Sequence, residues 1–89
     1  MKGHVYILES LRNKKHYIGS TANLENRFLE HENGEVKATQ YLRPWKLIFS
    51  QTFDDIKIAR QVEIKLKRFK SRKIIEKIIN DGRIKFVGV

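Results

Sequence analysis

The chain has 89 residues, which suffice for one small domain and exclude a multidomain enzyme. It contains no cysteine, so disulfides, thiolate zinc sites and cysteine nucleophiles are excluded as well. Its net charge of +9 indicates a polyanionic partner, for which nucleic acid is the leading candidate. The longest apolar run, residues 5–8, is far shorter than a membrane span, so we expect a soluble cytoplasmic protein.

Two short segments near the start of the chain predict a β-hairpin. Residues 4–9 and 16–20 are rich in β-branched and aromatic side chains, and a turn-forming stretch separates them. A helix is predicted next over residues 24–33, because Asn23 can cap its start and Asn33 begins an Asn-Gly stop. Residues 35–44 lack periodicity and are predicted to form a loop.

The second half of the chain predicts one strand and two helices. Residues 45–52 have the composition of a strand, and apolar residues then recur at helical spacing from Ile56 to Lys70. Ser71 can cap a last helix over residues 72–80. The predicted order β-β-α-β-α-α indicates a small α/β (α+β) domain with a mainly antiparallel three-stranded sheet flanked by helices. We assign residues 1–82 to this single domain and residues 83–89 to a C-terminal tail.

The basic excess lies almost entirely in the last third of the chain. Residues 57–89 carry eleven basic and three acidic side chains, whereas residues 1–56 carry eight and seven. A charge run often marks a solvated helix face, but such a face usually mixes both signs. The one-signed block therefore favours a surface that binds phosphates.

Tyr6 and Tyr17 are the most unusual pair in the predicted hairpin, because they lie on adjacent strands close to one another. Strand tyrosines are usually structural, so either one alone indicates packing. The following helix adds Arg27 and His31, which are four residues apart and lie at the edge of its core-facing side. A helix-terminal histidine and a surface arginine have ordinary structural roles too.

Glu63 is the third candidate element, because it is the only acidic residue between Asp55 and Glu76. One interpretation is structural, since Glu63 precedes Lys67 by four residues in the favourable order for a helix ion pair. The other is functional, since a lone carboxylate in a basic field can hold a divalent cation that bridges to phosphate.

Several motifs follow one another from residue 4 to about residue 79. They are Val5-Tyr6-Ile7, Tyr17-Ile18-Gly19, Asn23-Leu24 with Arg27, His31 and Asn33-x-Glu35, and Ala59-x-x-x-Glu63-x-x-x-Lys67. Together they resemble the GIY-YIG nuclease domain, and most closely its small stand-alone bacterial members. The second tripeptide is intact, whereas His4 and Val5 replace the Gly and Ile of the first. Ser20 stands where many repair-type members carry a lysine.

The resemblance implies a DNA endonuclease that hydrolyses phosphodiester bonds with one Mg²⁺ or Mn²⁺ held by Glu63. A single carboxylate argues against a two-metal site. Tyr6 or Tyr17 would act as general base on the attacking water, and the sequence does not assign the two roles. Arg27 would bind the scissile phosphate, and His31 would orient water or assist proton transfer.

A tyrosine base implies a shifted pKa. A free tyrosine has a pKa of about 10, so useful base strength near neutral pH requires the pKa to fall by roughly 2, which costs about 3 kcal/mol. We expect nearby cations to supply that stabilisation. Asn33 is a further candidate close to the site.

The basic block surrounds Glu63 and is the predicted DNA-binding surface. Its members are Arg60, Lys65, Lys67, Arg68 and Lys70. Because backbone contacts position DNA without reading its sequence, we expect weak sequence preference. We expect a monomer or weak homodimer, with a second copy or another protein directing it to its substrate.

Two other functions fit the same composition. A degenerate nuclease that only binds nucleic acid would keep the basic surface, and an RNA- or ribosome-associated accessory protein would need one as well. The joint presence of Tyr6, Tyr17, Arg27 and Glu63 favours the enzyme.

Overall fold

The predicted element order is confirmed in a computed structural model, which describes residues 1–84. The elements are β1 Gly3–Ser10, β2 His16–Thr21, α1 Leu24–Glu32, β3 Trp45–Phe53, α2 Ile56–Phe69 and α3 Arg72–Asp81. Each end lies within one residue of its predicted position. The regular elements of this chain are therefore encoded locally, by caps and by apolar spacing.

The sheet is antiparallel throughout and has the strand order β2-β1-β3. β1 is the central strand, and six of its eight residues are buried. In the pairing with β2, Tyr6 lies opposite Gly19 and Leu8 lies opposite Tyr17. The two tyrosines are therefore diagonal neighbours on one face of the hairpin, with ring centroids 6.4 Å apart.

Successive residues of β1 serve two cores, because side chains alternate across a strand. Val5 and Ile7 pack with α2 and α3, in a core completed by Phe49. Tyr6 and Leu8 pack on the opposite face with Trp45, and side chains of α1 cover them. The central strand thus carries Tyr6 away from the main core and towards α1.

The caps of α1 and α3 are the ones that the sequence predicts, and α2 is capped by Asp55. Asn23 accepts a hydrogen bond from the backbone of Asn26, and Asp55 and Ser71 cap α2 and α3 in the same manner. The core stripe of α2 consists of Ala59, Val62 and Leu66. Glu63 comes directly after Val62 of this stripe, so its side chain lies on the flank of α2 beside β2.

The segment between α1 and β3 is more ordered than the predicted loop. It contains a 3₁₀ turn at Gln40–Leu42, which the sequence analysis missed, and Thr39 before it is fully buried. The indole of Trp45 donates a hydrogen bond of 2.9 Å to the Thr39 carbonyl. This bond ties the segment to the start of β3.

The packed domain continues beyond Gly82, after which the sequence predicts a C-terminal tail. Ile84 is buried in the main core, and its backbone N–H donates a hydrogen bond of 2.7 Å to Gln51. The rest of the predicted tail, residues 85–89, lies outside the described residues. Across residues 1–84, every helix is too short or too polar to cross a membrane.

Candidate active site

Four of the five predicted catalytic side chains meet in one cavity of about 380 Å³ between the β1–β2 hairpin, α1 and α2. They are Tyr6, Tyr17, Arg27 and Glu63. Gly19, Ser20, Arg60 and Ile64 complete the wall. His31, the fifth predicted residue, lies behind Tyr6. We call this cavity the cleft.

His31 lies deeper than its predicted place at the helix edge, because it is fully buried. Its Nε2 lies 2.9 Å from the Tyr6 hydroxyl, and its Nδ1 lies 2.8 Å from the Thr39 hydroxyl. Thr39 donates its own proton to the carbonyl of Val36 at 3.3 Å. Thr39 therefore accepts from Nδ1–H, which leaves Nε2 as an acceptor and makes the Tyr6 hydroxyl the donor.

The pKa values of this pair keep both groups neutral. Burial, together with the positive charge of Arg27, lowers the pKa of His31 to about 4. Burial raises the pKa of Tyr6 to about 12, although Arg27 opposes the rise. The expectation of a depressed tyrosine pKa is wrong for Tyr6, since desolvation of the buried phenol outweighs the cation beside it.

Arg27 lies at the mouth of the cleft, half in solvent, where the sequence predicts it. Its guanidinium donates to Glu30 at 2.9 Å and also lies beside the Tyr6 hydroxyl. Both neighbours favour the charged form and raise the pKa of Arg27. The cleft therefore contains a permanent cation next to the phenol.

Glu63 forms the predicted ion pair with Lys67 and also lines the cleft. One carboxylate oxygen accepts from the Ser20 hydroxyl, and the other lies 2.6 Å from the Lys67 ammonium. The same ammonium is 5.7 Å from the centroid of the Tyr17 ring. A lysine on α2 thus supplies positive charge beside the tyrosines, although Ser20 itself carries none.

Gly19 is needed for the approach of Tyr6 to the cleft. A Cβ at this position would overlap the Tyr6 hydroxyl and its ring. Gly19 lies opposite Tyr6 in the pairing of β1 with β2. Because glycine has no side chain, the phenol of Tyr6 can cross β2 at this position. The glycine of the second tripeptide therefore has a steric reason in this fold.

The five predicted DNA-binding residues separate into three groups. Arg60 lines the cleft, and Lys67 and Lys70 line a neighbouring cavity. Lys65 and Arg68 line neither of these cavities. Asn33 does not line the cleft either, and its amide lies 3.5 Å from the carboxylate of Glu35. Binding by all of these residues stays a prediction.

Thr39 is the residue that the sequence analysis missed. Its hydroxyl fixes the proton of His31, and both side chains are fully buried. Thr39 lies in an aperiodic segment, eight residues from His31. Neither helical nor strand periodicity links the two, so no local pattern pointed to the contact.

The donor set suits a divalent ion that keeps most of its water. Within residues 1–84 there is no group of three or more His, Asp or Glu side chains that could enclose a metal. Glu63 is one hard oxygen donor at a cavity with room for water and a phosphate oxygen. Mg²⁺ commonly binds through one or two carboxylates plus substrate phosphates, so the residues fit such an ion.

Proteins of similar size are similar to this chain in sequence and in fold. The model of the GIY-YIG catalytic domain matches residues 2–77. A UPF0213 protein of Staphylococcus saprophyticus is 30% identical over 82 residues, which cover 91% of this chain and 98% of that protein. A UPF0213 protein of Natronomonas pharaonis is 35% identical, with 88% and 91% covered.

A solved structure extends the comparison to the fold. The solution structure of a UPF0213 protein from Bacillus halodurans has a TM-score of 0.60 and 27% identity to this chain. The match covers 98% of this chain and 92% of the other.

The fold and the cleft thus define a small α+β domain of the nuclease type. The chain belongs to the GIY-YIG family, and its relatives are small UPF0213 proteins of the same extent. Membership implies a nuclease-type activity on nucleic acid.

Proposed function

We propose that this chain is a metal-dependent DNA endonuclease that cleaves phosphodiester bonds by attack of water. The convergence of Tyr6, Tyr17, Arg27 and Glu63 in one cavity is the observation that carries the proposal. In the ordinary fold of a small domain, four such polar side chains would have no reason to share a cleft. The basic surface of α2 supports a substrate bound by its phosphates, with weak sequence preference.

Glu63 would hold one Mg²⁺ or Mn²⁺, which supplies Lewis-acid stabilisation of the phosphate oxygens when it is bound. Arg27 binds the scissile phosphate and stabilises the charge that develops on it. Ser20 orients the carboxylate of Glu63 through its hydrogen bond. Lys67 balances the charge of that carboxylate before substrate arrives.

Tyr6 handles the proton of the attacking water. Its hydroxyl proton is directed to Nε2 of His31, so the lone pairs of the oxygen face the cleft and accept a hydrogen bond from water. As the water oxygen bonds to phosphorus, its proton moves to Tyr6, the phenolic proton moves to His31, and the bond from phosphorus to the leaving oxygen breaks. The leaving oxygen keeps the electron pair of that bond and takes a proton from solvent. Tyr17 orients the water from the neighbouring strand.

This transfer is concerted with attack on phosphorus. Burial raises the pKa of Tyr6 and lowers the pKa of His31, so it disfavours the charged form of both groups. A tyrosinate–imidazolium pair would therefore be an unfavourable intermediate. A relay that moves both protons as the P–O bond forms avoids it.

A nicking assay tests the proposal. Wild-type protein is incubated with supercoiled plasmid and with branched DNA, in the presence of Mg²⁺, Mn²⁺ or a chelator. We expect metal-dependent cleavage that Glu63→Gln abolishes while DNA binding survives. Glu25→Gln, which removes an exposed carboxylate from the first turn of α1, is the matched control and should cleave normally. Equal cleavage by wild type and Glu63→Gln would overturn the metal role.

A non-catalytic nucleic-acid-binding module is the second candidate. The observation that favours it is that both oxygens of Glu63 already have protein partners, Ser20 and Lys67. Highly purified wild type that binds DNA with a steep salt dependence, yet cuts no DNA form with any divalent metal, would establish this function instead.

A further inference from the structure

A second cavity, of about 420 Å³, lies beside the cleft on the other side of Tyr17. Its floor is apolar and consists of Ile18, Leu66 and Ile75. Its rim is basic and includes Lys15 from the hairpin turn, Lys70 from the end of α2 and Arg72 from the start of α3. We call this cavity the cationic pocket. The β1–β2 hairpin and the junction of α2 and α3, which are distant from each other in sequence, build it.

The cationic pocket and the cleft share a wall. Tyr17 lines both cavities, and its ring has the Lys67 ammonium 5.7 Å from its centroid. That ammonium is also 2.6 Å from Glu63. A chain of phosphodiesters that places one phosphate at Glu63 therefore meets the cationic pocket within the width of one side chain.

The charges of the rim are not all neutralised by the protein. Arg72 pairs with Glu76 at 3.1 Å and donates to the Lys14 carbonyl at 3.2 Å, which holds α3 against the hairpin turn. Among the ion pairs within residues 1–84, none involves Lys15 or Lys70. These two lysines give the pocket a net positive rim.

We propose that the cationic pocket is a nucleotide subsite, which binds the substrate strand next to the bond that is cut. The backbone phosphate lies at Lys15 and Lys70, and the attached sugar lies on the apolar floor. The volume falls in the range of about 300–1,000 Å³ that is usual for small-molecule sites, which leaves room for one nucleotide unit. Free phosphate would satisfy the rim but would leave the apolar floor uncovered.

The subsite rests on the proposed nuclease function and extends the predicted DNA-binding surface. That surface was assigned entirely to α2, whereas the pocket adds Lys15 from the hairpin turn and Arg72 from α3. The hairpin that carries the tyrosines therefore also holds the substrate. The position of the bound DNA strand would therefore be coupled to the position of Tyr17.

Salt-dependent binding tests the subsite. A fluorescent duplex oligonucleotide is titrated with wild type, with Lys15→Gln/Lys70→Asn and with the control Lys73→Gln/Lys77→Gln. Asn suits position 70, because Lys70 has a left-handed backbone with φ of 47°. The control removes the same charge from exposed positions of α3 that do not line the pocket. Binding of inorganic phosphate, measured in parallel by calorimetry, separates a phosphate site from a nucleotide site.

We expect Lys15→Gln/Lys70→Asn to lower the slope of log affinity against log salt by about 1, because the two lysines share one backbone phosphate and each neutralised phosphate contributes about 1 to that slope. The control should retain most of the wild-type slope. An equal fall of the slope in the two double variants would overturn the subsite, because only net charge would then matter. Tight binding of inorganic phosphate that oligonucleotide does not displace would overturn it too.

The outcome for the subsite is separable from that for the nuclease. If wild type binds DNA but never cleaves it, a selective fall in binding by Lys15→Gln/Lys70→Asn still supports the pocket as a nucleotide site. If wild type cleaves DNA and the two double variants bind alike, the nuclease stands and the subsite fails.

Discussion

Tyr6 combines three properties that a packing tyrosine does not need. It is almost fully buried, its hydroxyl donates to His31, and the same oxygen lies beside Arg27 at the wall of the cleft. Tyr17 also lines the cleft, but its contacts are made by its ring. The ring centroid is 5.7 Å from the Lys67 ammonium and 5.1 Å from the centroid of the His31 imidazole. The two tyrosines therefore differ in their contacts within the cleft.

We predict that Tyr6→Phe lowers kcat by about 10²-fold or more and leaves KM nearly unchanged, because it removes a proton relay and no phosphate contact. Tyr17→Phe should lower kcat less. Single-turnover plasmid nicking measures both effects, and circular dichroism checks that each variant folds. Equal retention of activity in both variants would rule out the tyrosine mechanism.

In the proposed mechanism Thr39 acts only through its hydrogen bond to His31, so it would be a positioning residue. Thr39→Val removes the acceptor of Nδ1–H and leaves a buried donor unpaired, at a cost of about 1–3 kcal/mol. We predict a shift of His31 towards the other tautomer and a fall in kcat. Nitrogen-15 NMR of the imidazole detects the tautomer, which a loss of packing alone would not change.

Thr39→Ser is the matched control for that experiment, because it keeps the hydroxyl and removes only a methyl group. It should retain the tautomer and most of the activity. If Thr39→Val keeps the wild-type imidazole signals, the assigned direction of the hydrogen bonds is wrong.

At the level of elements, the phenol of Tyr6 can cross β2 only because Gly19 has no side chain. We predict that Gly19→Ala displaces the phenol from His31 and abolishes most cleavage, since the new Cβ would occupy the position of the Tyr6 hydroxyl. Nicking activity per folded molecule is the measurement.

Gly82→Ala is the control for a glycine replaced without steric contact. Gly82 ends α3 with φ of 76°, and within residues 1–84 a Cβ built there has no atom within 4 Å apart from its chain neighbours and the helix backbone. It should cost about 1 kcal/mol of stability and leave activity per folded molecule intact. If Gly19→Ala behaves like Gly82→Ala, the steric role of Gly19 is refuted.

The sequence predicts the elements better than it predicts the depth of the site. Caps and apolar spacing are local signals, and they predicted every strand and α-helix of residues 1–84. The burial of His31, the contact with Thr39 and the raised pKa of Tyr6 arise from the packing of α1 and its following loop on the sheet. These are tertiary effects, so no spacing in the sequence reports them.

The whole molecule separates its chemistry from its charge. Most cleft residues come from the nearly neutral first part of the chain, and α2 and α3 bring the basic block beside them. Tyr17 lines both the cleft and the cavity that Lys67 and Lys70 line, so part of the basic block adjoins the cleft. Under the proposed function, phosphates attracted by the basic block would arrive beside the cleft.

The buried His31 links the stability of the whole domain to pH. Its pKa is about 4 in the folded protein, against an ordinary value of 6.5, so the unfolded chain binds the proton more tightly. The stabilisation from this group is complete above pH 6.5 and is lost as pH falls through 4, and the whole effect amounts to about 3 kcal/mol. That loss is a large part of the stability of a small domain.

We predict that the free energy of unfolding of wild type falls between pH 6.5 and pH 4, and that His31→Gln loses this part of the pH dependence. Urea denaturation across the pH range measures it. Because His31→Gln removes a buried ring and could fail to fold, NMR titration of the His31 imidazole in wild type provides an independent measurement. A folded-state pKa near 6.5, or parallel stability curves for the two proteins, would show that the imidazole is accessible to solvent protons, and the neutral acceptor that the Tyr6 relay requires would then be absent below neutral pH.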